Sequence, residues 1–201
     1  MITIAVAKGY LLSESIQLLT RLGFDFGENP LDSRKLFCVD KTKALKLLQI
    51  RPWDVTEYVE QGAADLGIVG KDVLVEKRSH VLQLADMKFG HCRLVLAGPT
   101  KSKISHNMRV ATKYPNATEK YFHDRGIKVN LIKLYGAIEL APLTGLADII
   151  SDLTATGKTL KEHKLHIIDT IVSSTAHLIA NPTSLRFHYG AVTDLVARIQ
   201  R

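Results

Sequence analysis

Apolar positions along the chain fall into two rhythms: short runs that are continuous or alternate with polar residues, and longer stretches spaced three and four apart. The first predicts strands and the second amphipathic helices, so the order of elements predicts an α/β protein with largely parallel sheet. Ile2-Thr3-Ile4-Ala5-Val6-Ala7 reads as the first strand, Lys8-Gly9 as a turn, and residues 13–22 as a helix stopped by Gly23. Residues 35–40 and 47–51 read as two more strands. Asp54-Val55-Thr56-Glu57 has the spacing of a capping box for a helix that ends near Gly62, which puts Arg51 where a strand gives way to a helix. Residues 65–70 form a buried strand whose glycines admit close backbone approach.

In the second half, residues 92–97 read as a strand leading into Gly98-Pro99-Thr100, followed by a strand over 109–112. Asn116-Ala117-Thr118-Glu119 is a second capping box, opening a helix that Gly126 ends. Ile127, Val129 and Leu131 alternate with polar residues as a half-buried strand does. A short helix over 136–144 carries Glu139 and is interrupted by Pro142; strands follow at 147–151 and 165–171, the latter leading towards Leu178-Ile179-Ala180. The pattern closes with one amphipathic helix over 184–199.

The 201 residues suffice for one domain or two small lobes, and 46% hydrophobic with 23% charged residues excludes a disordered tail protein. No apolar stretch approaches the ~20 residues of a membrane span and the N-terminus lacks a basic leader, so a cytoplasmic protein is expected. Cys38 and Cys92 sit in apolar runs without metal-ligand spacing and read as buried, reduced thiols. His163 and His166, three apart but without further ligands nearby, read as exposed helix-end residues, and Asp65 and Asp72 as turn or cap acids. The net charge of +7 is unevenly spread: residues 100–135 hold eight basic and two acidic side chains. Lys101, Lys103, Arg109, Lys113, Lys120, Arg125, Lys128 and Lys133 are dispersed along that stretch and singly read as solvated surface; together they would attract a polyanion. Aromatic residues are only 6% and no nucleic-acid-binding signature appears, and a small, highly phosphorylated substrate would be served equally well.

The segment richest in chemistry is Asp148-Ile149-Ile150-Ser151-Asp152-Leu153-Thr154-Ala155-Thr156-Gly157-Lys158-Thr159-Leu160. An apolar strand ends in an acid, then a loop of threonine and glycine, then a helix. Gly157 lets the backbone turn inward, consecutive N–H groups can face an anion, and Thr154, Thr156 and Thr159 add hydroxyls, which makes a phosphate cradle; a surface turn with caps is the alternative. Gly157-Lys158-Thr159 imitates the end of a Walker A loop, but Asp152 stands where that motif needs glycine, so a P-loop nucleotidase is excluded. Asp152 instead suits sugar hydroxyls beside the phosphate.

Glu139, Gly145, Ala147, Ile150, Asp152-Leu153, Thr156-Gly157 and Thr159-Leu160 together resemble the signature of the ATP phosphoribosyltransferases, which open histidine biosynthesis. The likeness extends over Ala7-Lys8-Gly9 with Leu11-Leu12, Ser33-Arg34-Lys35-Leu36, Arg51 with Asp54-Val55, Gly62 with residues 64–73, residues 109–114 and Leu178-Ile179-Ala180-Asn181. It departs at Tyr10 and at His177, where the family commonly has arginine.

The resemblance implies an α/β fold of two lobes with a cleft between them, similar to type II periplasmic binding proteins. Lobe I would be residues 1–90 plus 175–201 and lobe II residues 91–174, with no C-terminal regulatory domain. The implied reaction joins N1 of ATP to C1 of phosphoribosyl pyrophosphate with release of pyrophosphate. Mg2+ is the implied cofactor, held mainly by substrate phosphates rather than a protein cage. Arg34 and Arg51 are the implied catalytic residues on the pyrophosphate side. Lys8 and Gly9 lie near phosphates, Glu139 and Asp152 make ribose-hydroxyl or Mg-linked contacts, and Thr154, Ala155, Thr156, Gly157, Lys158 and Thr159 hold the 5-phosphate. The implied partners are a second copy of the chain and a regulatory subunit related to histidyl-tRNA synthetase, with neither nucleic acid nor membrane, and histidine alone would not inhibit the isolated chain. A non-catalytic two-lobed solute- or effector-binding domain is the competing reading.

Overall fold

The computed structural model describes residues 1–32, 35–100 and 102–200. The chain divides into two compact units, Met1–Gly90 with Thr175–Arg201, and His91–Ser174. Unit 1 begins with β1 (Ile2–Ala7) and α1 (Tyr10–Arg21), continues through β2 (Phe37–Val39), β3 (Leu45–Ile50), α2 (Pro52–Glu60), β4 (Leu66–Gly70) and α3 (Lys71–Lys77), and reaches β5 (Leu82–Asp86). Unit 2 holds β6 (Cys92–Gly98), β7 (Arg109–Thr112), α4 (Pro115–His123), β8 (Asn130–Lys133), α5 (Leu140–Leu143), β9 (Ile149–Thr154), α6 (Lys158–Glu162) and β10 (His166–Ser174). The chain then returns to unit 1 with β11 (Ala176–Ala180), α7 (Pro182–Phe187) and α8 (Tyr189–Ile199).

The sheet of unit 1 has the order β2-β3-β1-β4-β11-β5. Its centre is parallel, β1 pairing with β3 from Ile2 opposite Leu45 to Ala7 opposite Ile50, and with β4 on its other side. Alternation along the strands sends Ile4, Val6 and Ile68 to one face, where they meet Leu12, Ile16 and Leu19 of α1 and Val192 and Leu195 of α8. Ala5, Ala7 and Val69 point to the other face, against Val55 and Val59 of α2 and Val73 and Leu74 of α3. Burying Val55 or Val59 completely, as here, contributes ~1.5–3 kcal/mol each. Gly67 lets β4 pass close beneath α2: an added Cβ would lie 2.8 Å from Val59 and 3.0 Å from Val55.

Unit 2 repeats this plan on its own sheet, ordered β10-β6-β9-β7-β8. Here β7 is the strand with parallel neighbours on both sides, Thr112 standing opposite Lys133 of β8 and Ser151 of β9. Val110 and Ile149 pack against Tyr121 and Phe122 of α4. Ala111 and Ile150 pack on the opposite face with Ile138, Ala141 of α5 and Leu160 of α6. In both units, therefore, a central strand sends its helix to one face while its two parallel neighbours send theirs to the other. That arrangement is a topological switch point, and ligands of open α/β sheets bind outside the carboxyl ends of the strands there.

Several expected features are corrected. Both sheets are mixed rather than largely parallel, because β2, β5, β6, β10 and β11 pair antiparallel with their neighbours. Neither capping box caps its helix: Pro52 and Pro115 occupy the first helical turn, with Arg51 and Tyr114 at the N-cap positions. Proline there has a suitable φ and no N–H to satisfy, so it sets the start earlier than Asp54 or Asn116 would. β9 extends to Thr154 rather than stopping at Ser151, because β6 continues the ladder as far as Arg93 opposite Thr154. The C-terminal helix is two helices, broken at His188. β8 starts at Asn130, later than the alternation from Ile127 suggests, and β5 and α3 were not anticipated. No helix of the described residues is long and apolar enough to cross a membrane.

Candidate active site

In unit 1 the candidate residues gather at the carboxyl ends of β1 and β3. Lys8 follows β1 directly, and its backbone N–H donates to the Ile50 carbonyl at 2.7 Å, which joins the two strand ends one residue before Arg51. Gly9 turns the chain into α1 with φ 95°, a conformation costly for any residue with a Cβ, and an added Cβ there would meet nothing within 4 Å. The glycine is thus required by backbone conformation rather than crowding. Arg51 is the N-cap residue of α2, with extended backbone (φ −62°, ψ 140°), and its side chain is exposed. Tyr10, the first residue of α1, is 68% exposed beside this cationic pair. Arg34 lies outside the described residues.

In unit 2 the candidates gather at the carboxyl end of β9, in the loop after it and at the start of α5, which follows β8. Thr112 and Ser151 are buried towards α4, where the hydroxyls of Ser151 and Thr118 are bonded at 2.8 Å. Asp152, the next residue of β9, therefore shares the opposite face with Ile150 and with α5, whose N-cap is Glu139. Asp152 accepts a hydrogen bond from the Leu153 N–H at 2.9 Å. Burial raises its carboxyl pKa above the ordinary value; the Leu153 amide opposes that, the Glu139 carboxylate adds to it, and the Lys113 ammonium opposes it. The charges of Glu139 and Lys113 thus both act on the Asp152 carboxylate.

The loop that follows is shaped by its own threonines. Thr154 is buried and its hydroxyl oxygen accepts the Gly157 N–H at 2.8 Å, while Thr156 accepts the Lys158 N–H at 3.3 Å. Gly157 takes φ 76°, the left-handed turn expected of it. Ala155, Thr156, Lys158 and Thr159 are exposed around this turn. The Thr154 hydroxyl oxygen thus braces the loop, and the side chains open to a phosphate are those of Thr156, Lys158 and Thr159.

The remaining chemistry-bearing residues have local partners. Asp65 accepts the Thr3 N–H at 2.7 Å and braces β1, in keeping with a structural acid. His166 opens β10 rather than ending a helix and bonds the Thr100 hydroxyl at 2.9 Å. Neither Cys38 nor Cys92 forms a disulfide and both are half-buried rather than buried, burial pushing the Cys38 thiol pKa up. Within the basic stretch Arg109 pairs with Asp148 and Lys120 with Asp124, both at 2.8 Å, and Arg125 stacks on Tyr121 at 3.6 Å. Lys113, counted in the sequence only as charge, is the member of that stretch whose charge acts on a candidate carboxylate, Asp152. The signal that would have found it is its place one residue past a parallel strand, which Lys8 shares in unit 1.

A family model described as ATP phosphoribosyltransferase (HisG) matches residues 51–201. An ATP phosphoribosyltransferase of Citrifermentans bemidjiense is 44% identical over 206 aligned positions, spanning 100% of this chain and 97% of the relative. The solved ATP phosphoribosyl transferase (HisG:HisZ) complex from Thermotoga maritima contains a chain 35% identical with a TM-score of 0.86, the match covering 100% of this chain and 97% of that one. The periplasmic aliphatic sulphonate binding protein SsuA of Escherichia coli is 14% identical with a TM-score of 0.64 over 98% of this chain and 70% of its own, a likeness of fold alone and one that agrees with the expected type II architecture. Family match, full-length identity and fold converge, and the chain belongs to the ATP phosphoribosyltransferase family.

Proposed function

We propose that the chain transfers the 5-phosphoribosyl group of phosphoribosyl pyrophosphate to N1 of ATP through the residues at these two strand edges. The observation that carries the reading is that the residues implied by the family signature gather, in each unit, at a switch point: Lys8 and Arg51 in one, Asp152, Glu139 and the 154–159 loop in the other. Adenine N1 is a weak nucleophile, so the C1–O bond of the sugar is largely broken as the N1–C1 bond forms, and its electron pair leaves with pyrophosphate. The protein's task is to receive that negative charge and to hold the sugar in line with the base.

Arg51, with its fixed charge and planar fork, suits the departing pyrophosphate, and Lys8 beside it adds a point charge. Arg34 takes the same role on the strength of the resemblance. The carboxylates of Asp152 and Glu139 accept hydrogen bonds from ribose hydroxyls and favour positive charge at C1, while Thr156, Lys158, Thr159 and the loop amides receive the 5-phosphate. Among the described residues no group of three or more His, Cys, Asp or Glu forms a metal cage, whereas Mg2+ binds well through substrate phosphates and water with one or two carboxylates nearby. Glu139 and Asp152 suit the water shell of such an ion, which when bound supplies positive charge to the leaving pyrophosphate.

The likeness to a chain of the Thermotoga HisG:HisZ complex supports assembly with a regulatory subunit, and the family resemblance adds a second copy of the chain and a cytoplasmic setting. Arg51→Ala tests the catalytic reading. Removing one preorganised cation from the leaving group is expected to lower kcat ~10²–10³-fold. An R51A variant that turns over like the parent would show that the cationic edge of unit 1 does not serve the reaction.

A further inference from the structure

Unit 1 carries its candidate cation, Lys8, on the residue directly after its central strand β1. Unit 2 has the same arrangement of strands and helices around β7, and the residue directly after β7 is also a lysine, Lys113. The candidate residues of unit 2 lie on β9, its loop and the start of α5; β7, the central strand of the switch point, supplies none of them. Register puts Lys113 next to Asp152: Thr112 and Ser151 stand opposite each other and are buried towards α4, Lys113 follows Thr112 where β7 ends, and Asp152, next on β9, belongs to the α5 face, at whose helix N-cap Glu139 stands. Lys113 is half-buried, and the charged groups that act on Asp152 are Glu139 and Lys113.

Two carboxylates crowded at one edge repel each other and are drawn apart unless a cation stands between them. We propose that Lys113 is a positioning residue of the sugar subsite: its ammonium, at the end of β7, balances Asp152 and Glu139 so that both carboxylates face the ribose hydroxyls together. The proposal rests on the assignment of those carboxylates to ribose. It makes Lys113 act through them rather than on a phosphate, and this distinction can be measured.

The test is calorimetric binding of phosphoribosyl pyrophosphate, with Mg2+, to the full chain and to five variants: K113Q, K113R, E139Q, D152N and the K113Q/E139Q double variant. K113Q is expected to weaken binding ~10-fold, with its melting temperature unchanged, and K113R to restore most of the affinity. In the E139Q background, where a single carboxylate is left, K113Q is expected to cost less than about twofold, the non-additivity of residues acting as one unit. Full affinity in K113Q, or the same fold-loss with and without Glu139, would overturn the proposal, the second result meaning that Lys113 touches the substrate independently. If E139Q and D152N both bind like the parent, the sugar-subsite reading itself fails; if they bind weakly while K113Q does not, only the role of Lys113 falls.

Discussion

Asp152 is held at a cost to the fold. Burial and the neighbouring Glu139 raise its carboxyl pKa, so the folded chain binds that proton more tightly than the unfolded chain does. The sign follows: protonation of Asp152 favours the folded state at low pH, and that advantage is lost as pH rises through the raised value. At neutral pH the ionised carboxylate therefore opposes folding, a pattern common where a site is built for a ligand rather than for stability. Asp152→Asn keeps an oxygen for the Leu153 N–H and removes the charge. The variant is expected to melt above the parent at pH 7 while losing ~10²-fold or more in kcat/KM for phosphoribosyl pyrophosphate, with the melting difference shrinking as pH falls towards the carboxyl range. Melting curves across pH check the first expectation, and a variant less stable than the parent at every pH would contradict it.

At the scale of elements, helix starts carry the clearest lesson. The strand and helix periodicities of the chain are legible from its sequence, because faces such as Ile4, Val6 and Ile68 must meet the Leu12, Ile16 and Leu19 stripe. The ends were harder to read. Arg51-Pro52, Tyr114-Pro115 and Asn181-Pro182 each place proline at the start of a helix, and that signal outweighs the serviceable capping-box spacings found a few residues later. The extension of β9 depends on a partner strand far away in sequence, β6, so Asp152 reads as a loop residue until the pairing is known. The turn within 154–159 is legible for the opposite reason: Gly157 and the hydroxyls of Thr154 and Thr156 act locally.

Asn181 shows how far one side chain can reach between elements. Its Oδ1 accepts the Thr183 and Ser184 N–H groups at 2.8 and 2.9 Å, capping α7, and its Nδ2 donates to the Val59 and Glu60 carbonyls at 2.9 and 3.1 Å near the end of α2. Losing both sets of bonds exceeds an ordinary cap loss. Asn181→Ala is expected to destabilise the chain by ~2–4 kcal/mol. Urea unfolding would show this as a lower midpoint with an unchanged slope; a midpoint within experimental error of the parent's would contradict it.

At the scale of the whole molecule, net charge and topology point to different places. Eight of the basic residues lie in 100–135, yet Arg109, Lys120, Arg125 and Lys133 are engaged locally by acidic or aromatic neighbours, and the carboxyl-end cations Lys8 and Arg51 belong to an electrically balanced part of the chain. The field of the molecule suits two phosphate-rich substrates without locating either. The proposed site residues lie instead at the repeated switch point, present in each unit around β1 and around β7.

Phosphoribosyl transfer to ATP is tested most directly by incubating the full chain, supplied with its regulatory subunit, with ATP, phosphoribosyl pyrophosphate and Mg2+, and following both pyrophosphate release and the ultraviolet absorbance of the N1-adduct of ATP. One pyrophosphate released per adduct formed is the predicted result. Pyrophosphate released without an ATP adduct, or neither product, would contradict the account.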